Sequence, residues 1–173
     1  MKTKLMPIFA LAGAALLTSC GGTPLTDAEV NERCAKYDLA AVSAKYNVGE
    51  ATITNKYSNV KGNFGTAELV DSTETQMIPV TVATAGDFDF NGLSQFSASL
   101  KFDYKIYASG AQGLKIEFSA SMNDKDFNLA MSGNEIINDE GLLDRAEVKT
   151  EMSSTAASFT LNQTITVKWT FVA

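Results

Sequence analysis

Side-chain oxygens at alternate positions, Asp87, Asp89 and Asn91 followed by Gly92, are the nearest approach to a metal-binding motif in this chain. That order matches the opening of a calcium loop, in which alternate oxygens and a turning glycine wrap the ion. Counted from Asp87, the twelfth position is Ala98 where a bidentate glutamate belongs, and the eighth is Ser94 rather than an apolar anchor. Lacking its strongest ligand, the segment reads instead as a strand with Phe88 and Phe90 inward and the aspartates outward, closing in an Asn91-Gly92 turn. No metal and no cofactor is expected.

Other chemistry-bearing residues point the same way. The chain has no histidine, which removes the commonest acid/base catalyst and transition-metal ligand. Asp124 with Asp126, and Glu147 with Glu151, are carboxylate pairs, but their alternation on strands and turns makes them surface charges. Burial is what tunes such groups for catalysis. The acidic turn at Asn138, Asp139, Glu140 and Gly141 is explained by turn chemistry alone. No Gly-x-Ser-x-Gly elbow, Ser-x-x-Lys pair or phosphate-binding glycine loop occurs, so the chain is not read as an enzyme.

The amino terminus carries the clearest signal. Lys2 and Lys4 precede an uncharged run of 13 residues from Leu5 to Leu17, the layout of a secretory signal. Thirteen residues of helix reach about 20 Å, short of a membrane core of about 30 Å. The run closes on Leu17, Thr18, Ser19 and Cys20, which resembles the lipobox of bacterial lipoproteins. The resemblance implies diacylglycerol on the Cys20 thiol, cleavage before it, and acylation of the new terminus by a chain such as palmitate. A protein anchored in this way faces the periplasm or the cell exterior, held at the membrane by lipid. Residues 1–19 are then a signal peptide, residues 20–25 a lipidated tether, and residues 26–173 a single domain.

Length and composition bound what that domain can be. The 173 residues are 45% apolar and include ten Phe, five Tyr and one Trp, enough apolar surface for a folded domain rather than a disordered chain. Fourteen basic against 20 acidic residues give −6. Loss of residues 1–19 removes two lysines and no acids, leaving −8, and no basic stripe exists to hold nucleic acid. With Cys20 lipidated, Cys34 has no intramolecular partner, and its place on an apolar helical stripe makes it a packing residue.

A helix is predicted over residues 26 to 46. Thr26 and Glu29 form a capping box at its start, and Asn47 and Gly49 stop it. Two apolar stripes run along it: Val30, Cys34, Tyr37, Ala41 and Ala44, and about 150° away Ala35, Leu39, Val42 and Tyr46. Beyond residue 50 the pattern is alternation. The clearest run goes from Phe96 to Ala108 with even-numbered residues apolar. Leu114 to Met122 repeats it; then follow Phe127 to Met131, Ala146 to Met152 and Phe159 to Phe171. Weaker candidates lie at Thr52 to Tyr57, Thr66 to Val70 and Met77 to Phe90, the last an edge or broken strand because of Pro79.

Parity restricts the registers, since a one-residue slip turns every side chain over. Two strands with even apolar sets must pair with even sums. A three-residue loop of Ala111, Gln112 and Gly113, with Gly113 left-handed, satisfies this and predicts Ala108 opposite Ile116, Ile106 opposite Phe118 and Phe102 opposite Met122. The next hairpin switches to odd apolar positions, so its loop holds two or four residues, within residues 123–126.

The expected fold is α+β, mostly antiparallel: one amino-terminal amphipathic helix packed on a curved sheet. Phe102, Tyr104, Ile106, Phe118, Met122, Met131 and Trp169 are expected on its apolar face. A helix beside the lipid anchor, long antiparallel strands, and the turn at Asn138, Asp139, Glu140, Gly141, Leu142 and Leu143 opening a closing hairpin together resemble the carrier LolA and the lipoproteins LppX and LprG. The resemblance implies a half-barrel sheet that holds acyl chains, and the seven residues above would touch them. The alternative is a structural or protein-interaction lipoprotein with a filled core, working through its polar face or a sheet edge. A calcium-dependent adhesin ranks third.

Overall fold

The computed structural model describes residues 22–65, 67–78 and 101–173. Cys20 and the lipobox, the calcium-like segment at Asp87, Asp89 and Asn91, and the run from Phe96 to Leu100 lie outside the described residues.

Two short helices precede the sheet: α1 (Asp27–Cys34) and α2 (Leu39–Lys45). Seven strands follow among the described residues: β1 (Val48–Lys61), β2 (Ser72–Ile78), β3 (Lys101–Ser109), β4 (Gly113–Asn123), β5 (Phe127–Ile137), β6 (Leu143–Ser154) and β7 (Phe159–Val172). They form one curved antiparallel sheet in the order β2-β1-β7-β6-β5-β4-β3, so β1 and β7 pair within it. The α+β class and the antiparallel sheet are as the alternation predicts.

The helix is not continuous. Its start is the expected capping box: Thr26 N–H donates to Glu29 Oε2 at 2.7 Å, and Glu29 N–H to Thr26 Oγ1 at 3.4 Å. It ends at Cys34, where the N–H groups of Lys36 and Tyr37 turn back to the carbonyls of Arg33 and Cys34. A second start follows at Asp38, whose carboxylate accepts from Ala41 N–H at 3.0 Å. The two stripes predicted for one helix thus belong to two. Val30, Cys34 and Tyr37 face a cluster with Leu114, Ile116, Ile137 and Leu143, while Val42 and Tyr46 face Leu142. Breaking the helix lets each stripe meet its own part of the sheet.

Parity held between β3 and β4, but the pairing is two residues from the one predicted. Ala108 pairs with Leu114, Ile106 with Ile116, Tyr104 with Phe118 and Phe102 with Ala120. The loop is Gly110, Ala111 and Gln112, closed by Ser109 opposite Gly113, and Gly110 rather than Gly113 takes the left-handed conformation at φ 69°. The cause is tertiary. Asp139 Oδ1 accepts from the N–H groups of Gln112 (2.8 Å) and Gly113 (2.7 Å), fixing where the turn falls. Between β4 and β5 the predicted switch to odd sums is found. Leu129 faces Met122, Met131 faces Ala120, and Asp124 N–H donates to the Phe127 carbonyl across the turn.

Three further differences follow from pairing. Residues 67–70 of the weak candidate at Thr66 to Val70 are not strand. The edge among the described residues is Ser72–Ile78, which pairs with β1 through Gly49 to Asn55, and residues 79–90 of the candidate at Met77 to Phe90 lie outside the described residues. β5 continues past Met131 to Ile137, because its backbone ladder with β4 and β6 runs on where the apolar residues stop. At the start of β6 a bulge at Asp144 separates the pairs Ile137 with Leu143 and Ile136 with Arg145. It allows Leu143 and Ala146, an odd number of residues apart, to be buried on the same face.

Candidate functional site

Register divides the sheet into two unlike faces. One carries Ile106, Tyr104 and Phe102 of β3; Ile116, Phe118 and Met122 of β4; Leu129 and Met131 of β5; Val148 and Met152 of β6; and Ile165 and Trp169 of β7. All seven residues singled out from sequence therefore share a face. The opposite face is polar, with Lys115, Glu117, Glu147, Glu151 and Lys168. It places the pair Glu147 and Glu151 outward and leaves Asp124 and Asp126 exposed in a turn, as expected for solvated charges.

The helices cover only part of the apolar face. At 1.5 Å per residue α1 is about 12 Å long and α2 about 10 Å, whereas a strand of β7's length runs about 46 Å. The covered end is the row of Leu114, Ile137 and Leu143, with Val30 against it and Ile106, Trp169 and Phe171 at its margin. Ile106 and Trp169, both part-buried, thus lie at the margin of the helix-covered cluster. Away from that end, Met122, Leu129, Met131, Val148, Met152 and Ile165 are only half-buried. Phe118 is 8% exposed, stacked on Phe102 at a centroid distance of 6.4 Å. Phe64, Phe127 and Phe159 form an aromatic group where β5 begins, and a linked amide and phenol set of Asn55, Tyr57 and Gln163 borders the strip on β1 and β7.

The turn at Asn138 to Leu143 has a structural role. Asn138 Oδ1 accepts from Glu140 and Leu142 N–H groups, both at 3.0 Å. Glu140 takes the Lys45 ammonium and, at 2.7 Å, the Tyr46 hydroxyl. Gly141, at φ 83°, leaves room for the Tyr37 ring, and the Tyr37 hydroxyl donates to the Gln112 carbonyl at 2.8 Å. Arg33 adds bonds to the carbonyls of Ala111 and Gly113, each 3.1 Å. Leu142, fully buried, packs under Val42. The acidic turn is therefore a junction joining both helices to two hairpin turns, with its carboxylates already bonded.

Sequence reading missed Glu135. Continuing the odd-numbered alternation of β5 from Phe127 by twos reaches Gly133, Glu135 and Ile137, so the signal was present but ran through a glycine and a charge. The register sets Glu135 between Ile116 and Ala146, on the apolar face. Its Oε2 is buried and has no hydrogen-bond partner, and burial pushes its carboxyl up to about 7. Cys34 is a half-buried free thiol packed on the helix-covered cluster, with its titration also raised by burial, which is the packing role expected of it.

A shallow depression of about 390 Å³ lies at the turn end of the polar face, lined by Ser121, Asn123, Asn128, Glu151 and Asn162 among others. Among the described residues no group of three or more acidic, cysteine or histidine side chains converges as a metal site, and no helix is long and apolar enough to cross a membrane. No family model, curated protein or solved structure matches the chain.

Proposed function

We propose that the protein is a lipoprotein of the bacterial cell envelope, anchored through lipid on Cys20, that holds a lipid or another apolar ligand on the apolar face of its sheet and has no catalytic activity. The observation that carries this reading is the mismatch between two helices of about 10–12 Å and the much longer apolar face they lie on. Along β5 the strip from Glu135 to Phe127 spans about 27 Å, against about 15 Å for one leaflet of a bilayer core of about 30 Å. An alkyl chain gains about 0.8 kcal/mol per buried methylene. Twelve carbons then supply about 9 kcal/mol before association costs of at least about 4 kcal/mol, which leaves at most about 5 kcal/mol and puts binding of the chain alone at about 0.2 mM or weaker.

The anchor and the strip are compatible in space. Leu25 N–H donates to the Ile106 carbonyl at 2.7 Å and its side chain packs on the core, so the chain is docked on β3 five residues after Cys20. Five residues reach at most about 18 Å, which holds the β3 side of the domain near the bilayer surface. The half-barrel lipoproteins that the sequence resembles supply the analogy for a lipid cargo.

The test is uptake of the neutral apolar dye phenylnaphthylamine by the full chain carrying Cys20→Ser. Saturable fluorescence enhancement that weakens in Leu129→Gln and Met131→Gln supports the reading, and absence of enhancement counts against it. The alternative, an interaction lipoprotein, draws on β2. It is exposed along almost its whole length and is an outer strand among the described residues, as strand addition by a partner would require.

A further inference from the structure

Among the described residues, Glu135 stands where the helix-covered part of the apolar face meets the part the helices do not reach. Its row on the sheet is Ile116, Glu135, Ala146 and Val167, next to the row of Leu114, Ile137 and Leu143 beneath α1. On its other side comes Gly133, whose missing side chain is replaced by the Phe118 ring, then Met131, Leu129 and Phe127.

A carboxyl in this position differs from most polar groups near the helices, among which Gln112 Oε1 is the one described atom likewise buried without a partner. Asn138, Asp139, Glu140, Arg33 and Tyr37 all have partners. Glu135 Oε2 is buried and has none. A buried acceptor left unpaired costs the full loss of its hydration, more so when it is charged. No described residue offsets that charge: β4 presents Ile116 and β6 presents Ala146, while α1, which packs on Ile116, brings the neutral Cys34 thiol. The charged groups Lys115, Glu117 and Glu147 lie on the opposite face.

What is missing is a hydrogen-bond donor, preferably positive, joined to something apolar. We infer that Glu135 receives the ammonium head of a cationic amphiphile whose hydrocarbon chain lies along the strip from Gly133 to Phe127. The inference rests on the apolar-ligand reading and names its ligand class. A charge-assisted bond to an ammonium satisfies the oxygen and neutralises the carboxylate together, and the adjoining Phe118 ring offers a second surface that cations favour. A fatty acid would set one carboxylate against another. A net charge of −8 for the chain from Cys20 onward favours the same sign of ligand.

Three probes of equal chain length separate the possibilities: dodecylamine, dodecanol and dodecanoate, each titrated calorimetrically at pH 8 into the full chain carrying Cys20→Ser, with and without Glu135→Gln. The expected result is dodecylamine binding about tenfold more tightly than dodecanol, with dodecanoate weakest. Glu135→Gln should reduce dodecylamine to the level of dodecanol and leave dodecanol unchanged. As a second readout, the carbon resonance of the Glu135 carboxyl should titrate at lower pH when dodecylamine is present. Equal binding of amine and alcohol, tighter binding of dodecanoate, or indifference to Glu135→Gln overturns the inference and leaves the apolar-ligand reading standing. Failure of all three probes to bind overturns both.

Discussion

The Phe118 ring occupies the space that a side chain at position 133 would need: a methyl built on Gly133 falls 2.5 Å from Phe118 Cζ and 2.4 Å from the Glu147 carbonyl oxygen. Phe118 and Gly133 are directly opposed across β4 and β5, so the ring crosses its partner strand beside Glu135. Because one of the two obstructing atoms is backbone in β6, the site cannot yield by turning a ring alone.

Gly133→Ala should therefore destabilise the fold by about 1–3 kcal/mol, as overpacking of a tight interior does. A shift in the urea midpoint at unchanged slope reads it. An unchanged midpoint would mean that the Phe118 ring is not held over β5.

Glu135→Gln should change the pH dependence of stability. The folded carboxyl titrates at about 7 against 4.5 ordinarily, so between those values the folded chain keeps a proton that the unfolded chain has lost. Stability of the parent therefore falls as pH rises through that window and stays reduced above it. The variant should be more stable by about 1–2 kcal/mol at pH 8, a figure reduced for partial exposure of the group, and equal to the parent near pH 4. Parallel curves for the two proteins would contradict the burial of Glu135.

Asp139→Asn tests the junction. Hydrogen bonds from Gln112 and Gly113 hold the Asp139 carboxyl below its ordinary range, so its contribution is present above about pH 4 and lost as pH falls through the lower folded value. The variant should show faster amide exchange at Gln112 and Gly113 at pH 7 and a shallower loss of stability in acid. Unaltered exchange at both amides would remove Asp139 as the determinant of the β3–β4 register.

Cys20→Ser tests the anchor. The parent, expressed in a bacterium with lipoprotein processing, should incorporate labelled palmitate and partition into detergent, and the variant should do neither. A parent that partitions into the aqueous phase unlabelled would contradict the lipobox reading.

Alternation made most of the sheet legible because each strand has one apolar face, and parity alone fixed which faces of β3, β4 and β5 coincide. It could not distinguish registers two residues apart, since both satisfy parity; Asp139, from a turn 26 residues beyond Gly113, decides between them. Propensity favoured one helix because the residues 35 to 38 contain no strong breaker. Asp38 breaks it there as a local cap on Ala41, and Tyr37 bonded to Gln112 does so as a tertiary choice. The apolar residues of the site were found, but Glu135 was not, because a search for apolar alternation stops at Gly133. Ile106 and Trp169 carry the same alternation as Met122 and Met131, and only the placement of two short helices sets the first two against the covered cluster.

Whether the strip carries a ligand is read directly by native mass spectrometry of the full chain with Cys20→Ser, purified without detergent. A population heavier than the chain by the mass of an amphiphile, depleted in Met131→Gln, is the predicted result. A single species at the mass of the bare chain, unchanged after incubation with dodecylamine, would contradict it.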